Sequence, residues 1–369
     1  MNATETIDIA PVVKNFRIDG DFIDGRPYGS GHINDTFLGR FNTPQGVRKY
    51  IHQRINHRIF TNPERLMDNI SRVTNHLRGK ALAEGKDADR ESLTLVPSID
   101  GSCYYRTDTG EYWRTYLFIT RAKTYDLVET PDHLRSGGYA FGRFGSLLAD
   151  MPGEPLHETI PMFHHTPNRV RLLQEAIDRD SCNRAAKVGK DIEFALSRSE
   201  EMGTLVRLME QGELPKRITH NDTKFNNVMI DDDTGKAVCV IDLDTVMPGL
   251  GLYDFGDMVR TGTITALEDE QDISKIGVNL TMFESLVRGY LEGAGDTLLP
   301  EEVDRFVLAG KVITYTIGVR FLTDYLSGDM YFKIHRPKHN LDRCHTQFKL
   351  VSEIEKHADE MQKIVDGCR

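Results

Sequence analysis

Two short acidic patterns at a set separation constrain this chain more than any other feature of its sequence. The first is Thr219-His220-Asn221-Asp222-Thr223-Lys224-Phe225-Asn226-Asn227-Val228, and the second is Val240-Ile241-Asp242-Leu243-Asp244. In the first, His220, Asp222 and Asn227 have the form H-x-D-x-x-x-x-N, which places a carboxylate and a carboxamide on one loop. The second ends an apolar strand pattern, Ala237-Val238-Cys239-Val240-Ile241, and Asp242 stands 15 residues after Asn227, about what a β-hairpin return requires. Phosphoryl transfer needs a carboxylate that orients and deprotonates an acceptor hydroxyl, and oxygen ligands that hold Mg2+ against a triphosphate. Asp222 is therefore the candidate base, Asn227 and Asp242 are the candidate metal ligands, and ATP and Mg2+ are the implied cofactors. Either pattern alone is more often a polar turn or a strand-ending cap. Their occurrence together, in this order and spacing, is what makes the signal specific.

The remaining periodicities fit an α+β, two-lobed fold of protein-kinase type, with a β-rich N-lobe and a mostly helical C-lobe. Residues 24–31 are turn-like, with Gly25, Pro27, Gly29 and Gly31, and short strand patterns follow at 37–41 and 49–55. Leu66, Ile70, Val73 and Leu77 recur at i, i+4, i+7 and i+11, which predicts an amphipathic helix started by Asn62-Pro63. Two more strands are expected at 93–96 and 112–119. Beyond residue 120, Leu134, Phe141, Phe144 and Leu148 share one helical face, as do Val312, Tyr315, Thr316, Val319, Leu322 and Leu326. The reading gives a nucleotide-binding lobe over 1–119 and a catalytic and acceptor-binding lobe over 120–369.

Gly29, Ser30, Gly31 and Asn34 form the candidate phosphate-covering turn, because small residues let backbone N–H groups approach anionic oxygens. Kinases place a lysine on the next strand, paired with a helical carboxylate. Here Gln53 stands at that position, with Lys49 and Arg54 nearby, and Asp68 is the only suggestion for the carboxylate. Which cation serves the phosphates is left open. On the acceptor side, Arg320 and Asp324 are candidate substrate contacts: they are i,i+4 on one helix, at the edge of its apolar stripe, where the guanidinium can reach a cleft. His157-Glu158 opens like a zinc H-E-x-x-H, but Pro161 occupies the fifth position. Asp254-Phe255-Gly256 is not taken as a metal motif, since Asp242 fills that role; Asp254 or Asp257 is expected to support the catalytic loop.

The loop and the strand end resemble the aminoglycoside phosphotransferase/choline kinase superfamily. Within it the likeness is closer to the N-acetylhexosamine 1-kinases and runs over nearly the whole chain. It is carried by Pro27-Tyr28-Gly29-Ser30-Gly31-His32-Ile33-Asn34, Gln53-Arg54-Ile55-Asn56, Phe163-His164-His165-Thr166-Pro167 and Thr219–Asn227. Two longer phrases, Asp242-Leu243-Asp244-Thr245-Val246-Met247-Pro248-Gly249 and Val319-Arg320-Phe321-Leu322-Thr323-Asp324-Tyr325-Leu326, are the more diagnostic. The resemblance implies a sugar substrate contacted by His32, Arg320 and Tyr331, and phosphorylation of its anomeric hydroxyl. Choline, homoserine, an aminoglycoside or another sugar as acceptor, and a nucleotide-binding pseudokinase, are the alternatives.

Bulk properties narrow the partners. The formal charge is −10, from 46 Lys and Arg against 56 Asp and Glu, which disfavours nucleic acid and anionic membrane surfaces. The N-terminal residues lack the basic and apolar regions of a signal peptide, and no apolar run of membrane-spanning length is expected. Five scattered cysteines without a C-x-x-C pair read as reduced thiols, consistent with a cytoplasmic protein. Nothing in the sequence points to a protein partner.

Overall fold

The computed structural model describes residues 7–29 and 33–369. Its first part contains α1 (Ala10–Val13), β1 (Asp21–Pro27), β2 (Asp35–Thr43), β3 (Gly46–Arg54), α2 (Pro63–Ala83), α3 (Ala88–Glu91), β4 (Tyr105–Arg106) and β5 (Tyr112–Leu117). The strands pair antiparallel in the order β1-β2-β3-β5-β4. The second part runs β6 (Ala122–Lys123), α4 (Pro131–Leu148), α5 (Thr166–Arg179), α6 (Gly189–Met202), α7 (Thr204–Glu210), β7 (Arg217–Thr219), β8 (Val228–Asp231), β9 (Ala237–Val240) and β10 (Met247–Gly249). It closes with α8 (Gly251–Gly262), α9 (Leu280–Ala294), α10 (Pro300–Val303), α11 (Phe306–Leu326) and α12 (His339–Gly367). A sheet-bearing N-terminal lobe thus precedes a helical C-terminal part, as the periodicities predicted.

Two local expectations need correction. Residues 21–27, read in part as turn, are the edge strand β1. An edge strand tolerates Pro27, and Gly25 is required because a Cβ there would lie 2.4 Å from the Ile9 side chain. Residues 93–96 make no strand; Leu95 forms only an isolated bridge with Tyr116, and β4 falls instead at Tyr105–Arg106.

Helix α2 shows how the core positions the site. Asn62 caps it by accepting the Arg65 N–H at 3.0 Å, and Pro63 occupies its first turn. Leu66, Ile70 and Val73 are fully buried, each contributing roughly 1.5–3 kcal/mol. They pack in one cluster with Phe144 of α4 and with Leu243 and Val246, which flank Asp244. Buried Asn69 extends this contact by donating to the Val246 carbonyl at 3.1 Å. Helix α11 has a mean hydropathy of 1.3 over its most apolar window, enough by length and composition to cross a bilayer, which the sequence reading did not pick out. It is instead a core helix, with 78% of that window buried, packed on α5, α8 and α12. Gly256 of α8 permits the close crossing, since a Cβ there would meet the Ala309 carbonyl at 2.4 Å.

Candidate active site

The loop between β7 and β8 is held from several sides. Asn221 adopts φ 66°, a left-handed conformation that asparagine tolerates. Its amide nitrogen donates to the Thr219 and Thr245 carbonyls at 3.2 and 2.9 Å. Asp254, in the first turn of α8, accepts the backbone N–H groups of His220 and Asn221 at 2.9 and 2.7 Å. The carboxylate of the D-F-G triplet is thus engaged with the loop, while Asp257 pairs with Arg260 at 2.8 Å. His220 Nε2 donates to the Ile241 carbonyl at 2.9 Å, because a carbonyl can only accept. Its Nδ1 is then the acceptor for the Asp222 N–H at 3.3 Å. Buried His164 donates from Nε2 to the Asn221 carbonyl at 2.9 Å, and His165 caps α5.

Burial pulls the imidazole of His164 down to about 4, and does the same to His52, which bonds Thr115 within the sheet. Both start from an ordinary value of 6.5, so between that pH and about 4 the unfolded chain takes up two protons that the folded chain does not. Stability is therefore fully present above this window and lost as pH falls through it, by roughly 3 kcal/mol per histidine at most. Urea melts at pH 7 and pH 5 check this: His164→Gln is expected to lose less stability on acidification than the parent chain. Equal losses would contradict it.

Asp222 lies in this loop with its carboxylate between two donors. Lys224 Nζ is 2.9 Å from Oδ1 and 3.1 Å from Oδ2, and Asn227 Nδ2 is 3.3 Å from Oδ2 and 2.8 Å from the Asp222 carbonyl. Burial would raise the Asp222 carboxyl, but Lys224, with Arg260 behind it, holds it below the usual aspartate range. Lys224 was not singled out in the sequence, although its place two residues after the base was a visible signal. Because the Asn227 amide nitrogen is committed to Asp222, the amide oxygen is the atom left for a hard cation. Asp242 lies two residues beyond the end of β9, at φ 60°, ψ 59°. Its side chain is exposed to solvent, yet the protein around it, followed by the charges of Asp244 and Asp222, pushes its carboxyl up to about 7. One carboxylate and one carboxamide oxygen fit Mg2+, which keeps several waters and takes further oxygens from phosphates. No cluster of three or more His, Cys, Asp or Glu suited to a metal exists among the described residues.

Ser30, Gly31 and His32 lie outside the described residues. Gly29 has φ 80° at the end of the turn from β1. Asn34 is engaged at both ends of its amide: Oδ1 accepts the Asn56 N–H at 3.0 Å, and Nδ2 donates to Asp244. Buried Asp244 also receives both terminal nitrogens of Arg114, a residue of β5 that the sequence reading missed. Arg114 Nε donates to Gln53 at 2.9 Å, and Gln53 donates to Thr36 at 3.0 Å, following the β2-β3-β5 register. The other suggested cations are elsewhere. Lys49 lies over the Phe118 ring, and Arg54 pairs with Asp35 and Glu111. Asp68 faces His157 at 3.3 Å and Arg72 at 3.7 Å.

At the acceptor end, Arg320 and Asp324 share a helix face but part company. The Arg320 guanidinium lies over the rings of Phe163, Tyr331 and Phe332, 5.1–5.6 Å from their centroids, and is 3.4 Å from the Tyr331 hydroxyl. Buried Asp324 accepts the N–H groups of Met330, Tyr331 and Phe332 and the Asn340 amide, at 2.8–2.9 Å. Its carboxylate is filled by these four donors and fixes the loop that presents Tyr331, so it has a holding position rather than a free face toward a substrate. Arg169 joins the group beneath, donating to the Phe163 carbonyl at 2.8 Å; burial and the nearby Arg320 pull it down to about 10.

Known structures share this architecture at low sequence identity. A microcompartment-associated aminopropanol kinase matches with TM-score 0.56 and 15% identity, over 95% of this chain and 97% of the other. A choline kinase from Cryptosporidium parvum Iowa II matches with TM-score 0.57 and 13% identity, over 97% and 98%. A spectinomycin phosphotransferase, solved in complex with ADP and spectinomycin, matches with TM-score 0.56 and 10% identity, over 92% and 94%. At these identities the likeness is one of fold. The sequence model of the phosphotransferase enzyme family matches residues 24–296, most of the chain and all of the catalytic loop, and the chain belongs to that family.

Proposed function

We propose that this phosphotransferase is an ATP- and Mg2+-dependent kinase that phosphorylates the anomeric (C1) hydroxyl of an N-acetylhexosamine, yielding the sugar 1-phosphate. The observation that carries the reading is the position of Asp222: its carboxylate is 3.3 Å from the Asn227 amide nitrogen, and the carbonyl of the preceding Asn221 is bonded by His164, the neighbour of Phe163 over which Arg320 lies. A base beside a cation ligand, on a loop tied to a hydrogen-bond donor for the acceptor, is the arrangement hydroxyl phosphorylation requires. Asp222 orients the acceptor hydroxyl and takes its proton, and Lys224 keeps the carboxylate ionised until then. Asn227 and Asp242 would hold Mg2+, which supplies charge neutralisation at the nucleotide phosphates.

The choice of acceptor rests on Arg320 and Arg169. Two arginines beside each other disfavour a cationic acceptor such as the choline or aminopropanol that name the similar kinases. Their N–H groups suit ring hydroxyls and an acetamido oxygen, and the flanking aromatic rings suit the apolar faces of a sugar. Incubation with radiolabelled ATP and a panel of N-acetylglucosamine, N-acetylgalactosamine, choline, ethanolamine and an aminoglycoside tests this. Label is expected in the N-acetylhexosamines alone, and EDTA is expected to abolish it. Label in the amines instead would overturn the acceptor assignment.

Arg320→Ala is expected to lower kcat/KM for the sugar by roughly 10- to 150-fold, the effect of about 1.5–3 kcal/mol from a charge-assisted hydrogen bond. The KM for ATP is expected to stay within about twofold, since the contacts of Arg320 are with Phe163, Tyr331 and Phe332 and with none of the candidate nucleotide or cation ligands. An unmoved sugar KM would remove Arg320 from the acceptor site.

A further inference from the structure

The strand position that carries a lysine in kinases holds Gln53 here, and Gln53 cannot neutralise phosphate. Its neighbour in register, Arg114, is charged, 1% exposed, and joined to Asp244 through both terminal nitrogens. Asp244 stands two residues after Asp242, on the short turn of residues 243–245. The same Asp244 carboxylate receives the amide of Asn34, which lies just after the glycine turn and whose other end holds the Asn56 backbone. One buried carboxylate therefore gathers three structures: the sheet through Arg114, the segment after the glycine turn through Asn34, and the cation ligand through the chain itself. The row Thr36-Gln53-Arg114 makes the connection stiff, because each polar group along it has a partner in the next strand.

We infer that Arg114 and Asp244 form a positioning pair that sets Asp242 and Asn34 in a fixed relation for a nucleoside triphosphate. The inference rests on Asp242 being the cation ligand. Its physical basis is geometric. An arginine fork fixes both the distance and the plane of a carboxylate, which a single ammonium cannot do. Asp244, held in that plane, fixes the turn that carries Asp242 at a left-handed φ. Gln53 orients the fork from the other side and needs no charge to do so.

Titration calorimetry with ADP, with and without Mg2+, on Arg114→Met, Arg114→Lys and Arg114→Met/Asp244→Asn tests the pair, with Asp242→Asn as control. Outer partners of metal ligands typically affect affinity 10- to 100-fold. Arg114→Met is expected to weaken Mg·ADP by that order and metal-free ADP much less, and to raise the KM for ATP while the sugar KM stays within about twofold. Arg114→Lys is expected to recover part of the loss. Removal of one buried partner strands the other charge, so Arg114→Met is expected to melt early. The double variant removes both charges, and is expected to regain most of the Tm while Mg·ADP binding stays weak. A double variant with parental Mg·ADP affinity, whatever its Tm, would show that the pair does not position the cation ligand and overturn the inference. If Asp242→Asn also bound Mg·ADP like the parent, the cation reading beneath the inference would fall with it.

Discussion

Asp222→Asn is expected to lower kcat by about 10²–10⁴-fold while leaving ATP affinity nearly unchanged. The substitution keeps the size and one acceptor oxygen, and it removes the proposed base. The loop should keep its shape, because most of what holds it bypasses the Asp222 carboxylate: Asp254 binds the His220 and Asn221 backbone, His164 binds the Asn221 carbonyl, and Thr245 binds the His220 carbonyl. A kcat within a few-fold of the parent would show that Asp222 is not the base. A lost Tm would mean that the Lys224–Asp222 contact is part of the fold.

The second large effect is expected at Asp242. Asparagine is the informative replacement, because it keeps the left-handed φ of 60° that alanine would strain. Asp242→Asn is expected to raise the Mg2+ concentration for half-maximal activity strongly and to weaken Mg·ATP far more than the sugar. A pH effect accompanies it. The carboxyl sits near 7 without a cation, so below that pH a proton competes for the ligand oxygen and above it the oxygen is free. Mg·ADP affinity in the parent is therefore expected to rise with pH across 6–8, and in Asp242→Asn to lose most of that rise. Equal affinities in the two proteins at pH 8 would move the cation site away from Asp242.

The sequence revealed the parts of the site that lie close along the chain. His220, Asp222 and Asn227 come from one loop, and Asp242 follows the β8–β9 hairpin after it, so their nearness in space could be read from spacing. The amphipathic helix was equally legible, since Leu66, Ile70 and Val73 mark a face without reference to anything distant. Residues that act across the fold left no such mark. Arg114 meets Asp244 across 130 positions, and only the β3–β5 register brings it beside Gln53. His164 reaches Asn221 across 57 positions, so a polar loop histidine gave no hint of its role. Asp324 shows a different limit. Its helix face was predictable from i,i+4 spacing, but its carboxylate turns to the backbone of residues 330–332, a choice made by a loop whose path the helix does not encode. Strand β1 was obscured because Gly25 answers to Ile9, a contact outside its own strand.

The central claim is that Asp222 directs phosphate to the anomeric oxygen of an N-acetylhexosamine. The most direct test is ³¹P and ¹³C NMR of the product formed from N-acetylglucosamine or N-acetylgalactosamine, ATP and Mg2+. The account predicts one phosphomonoester, with phosphorus coupled to C1. Phosphate on any other carbon, or no sugar phosphate under conditions where an amino alcohol is phosphorylated, would contradict it.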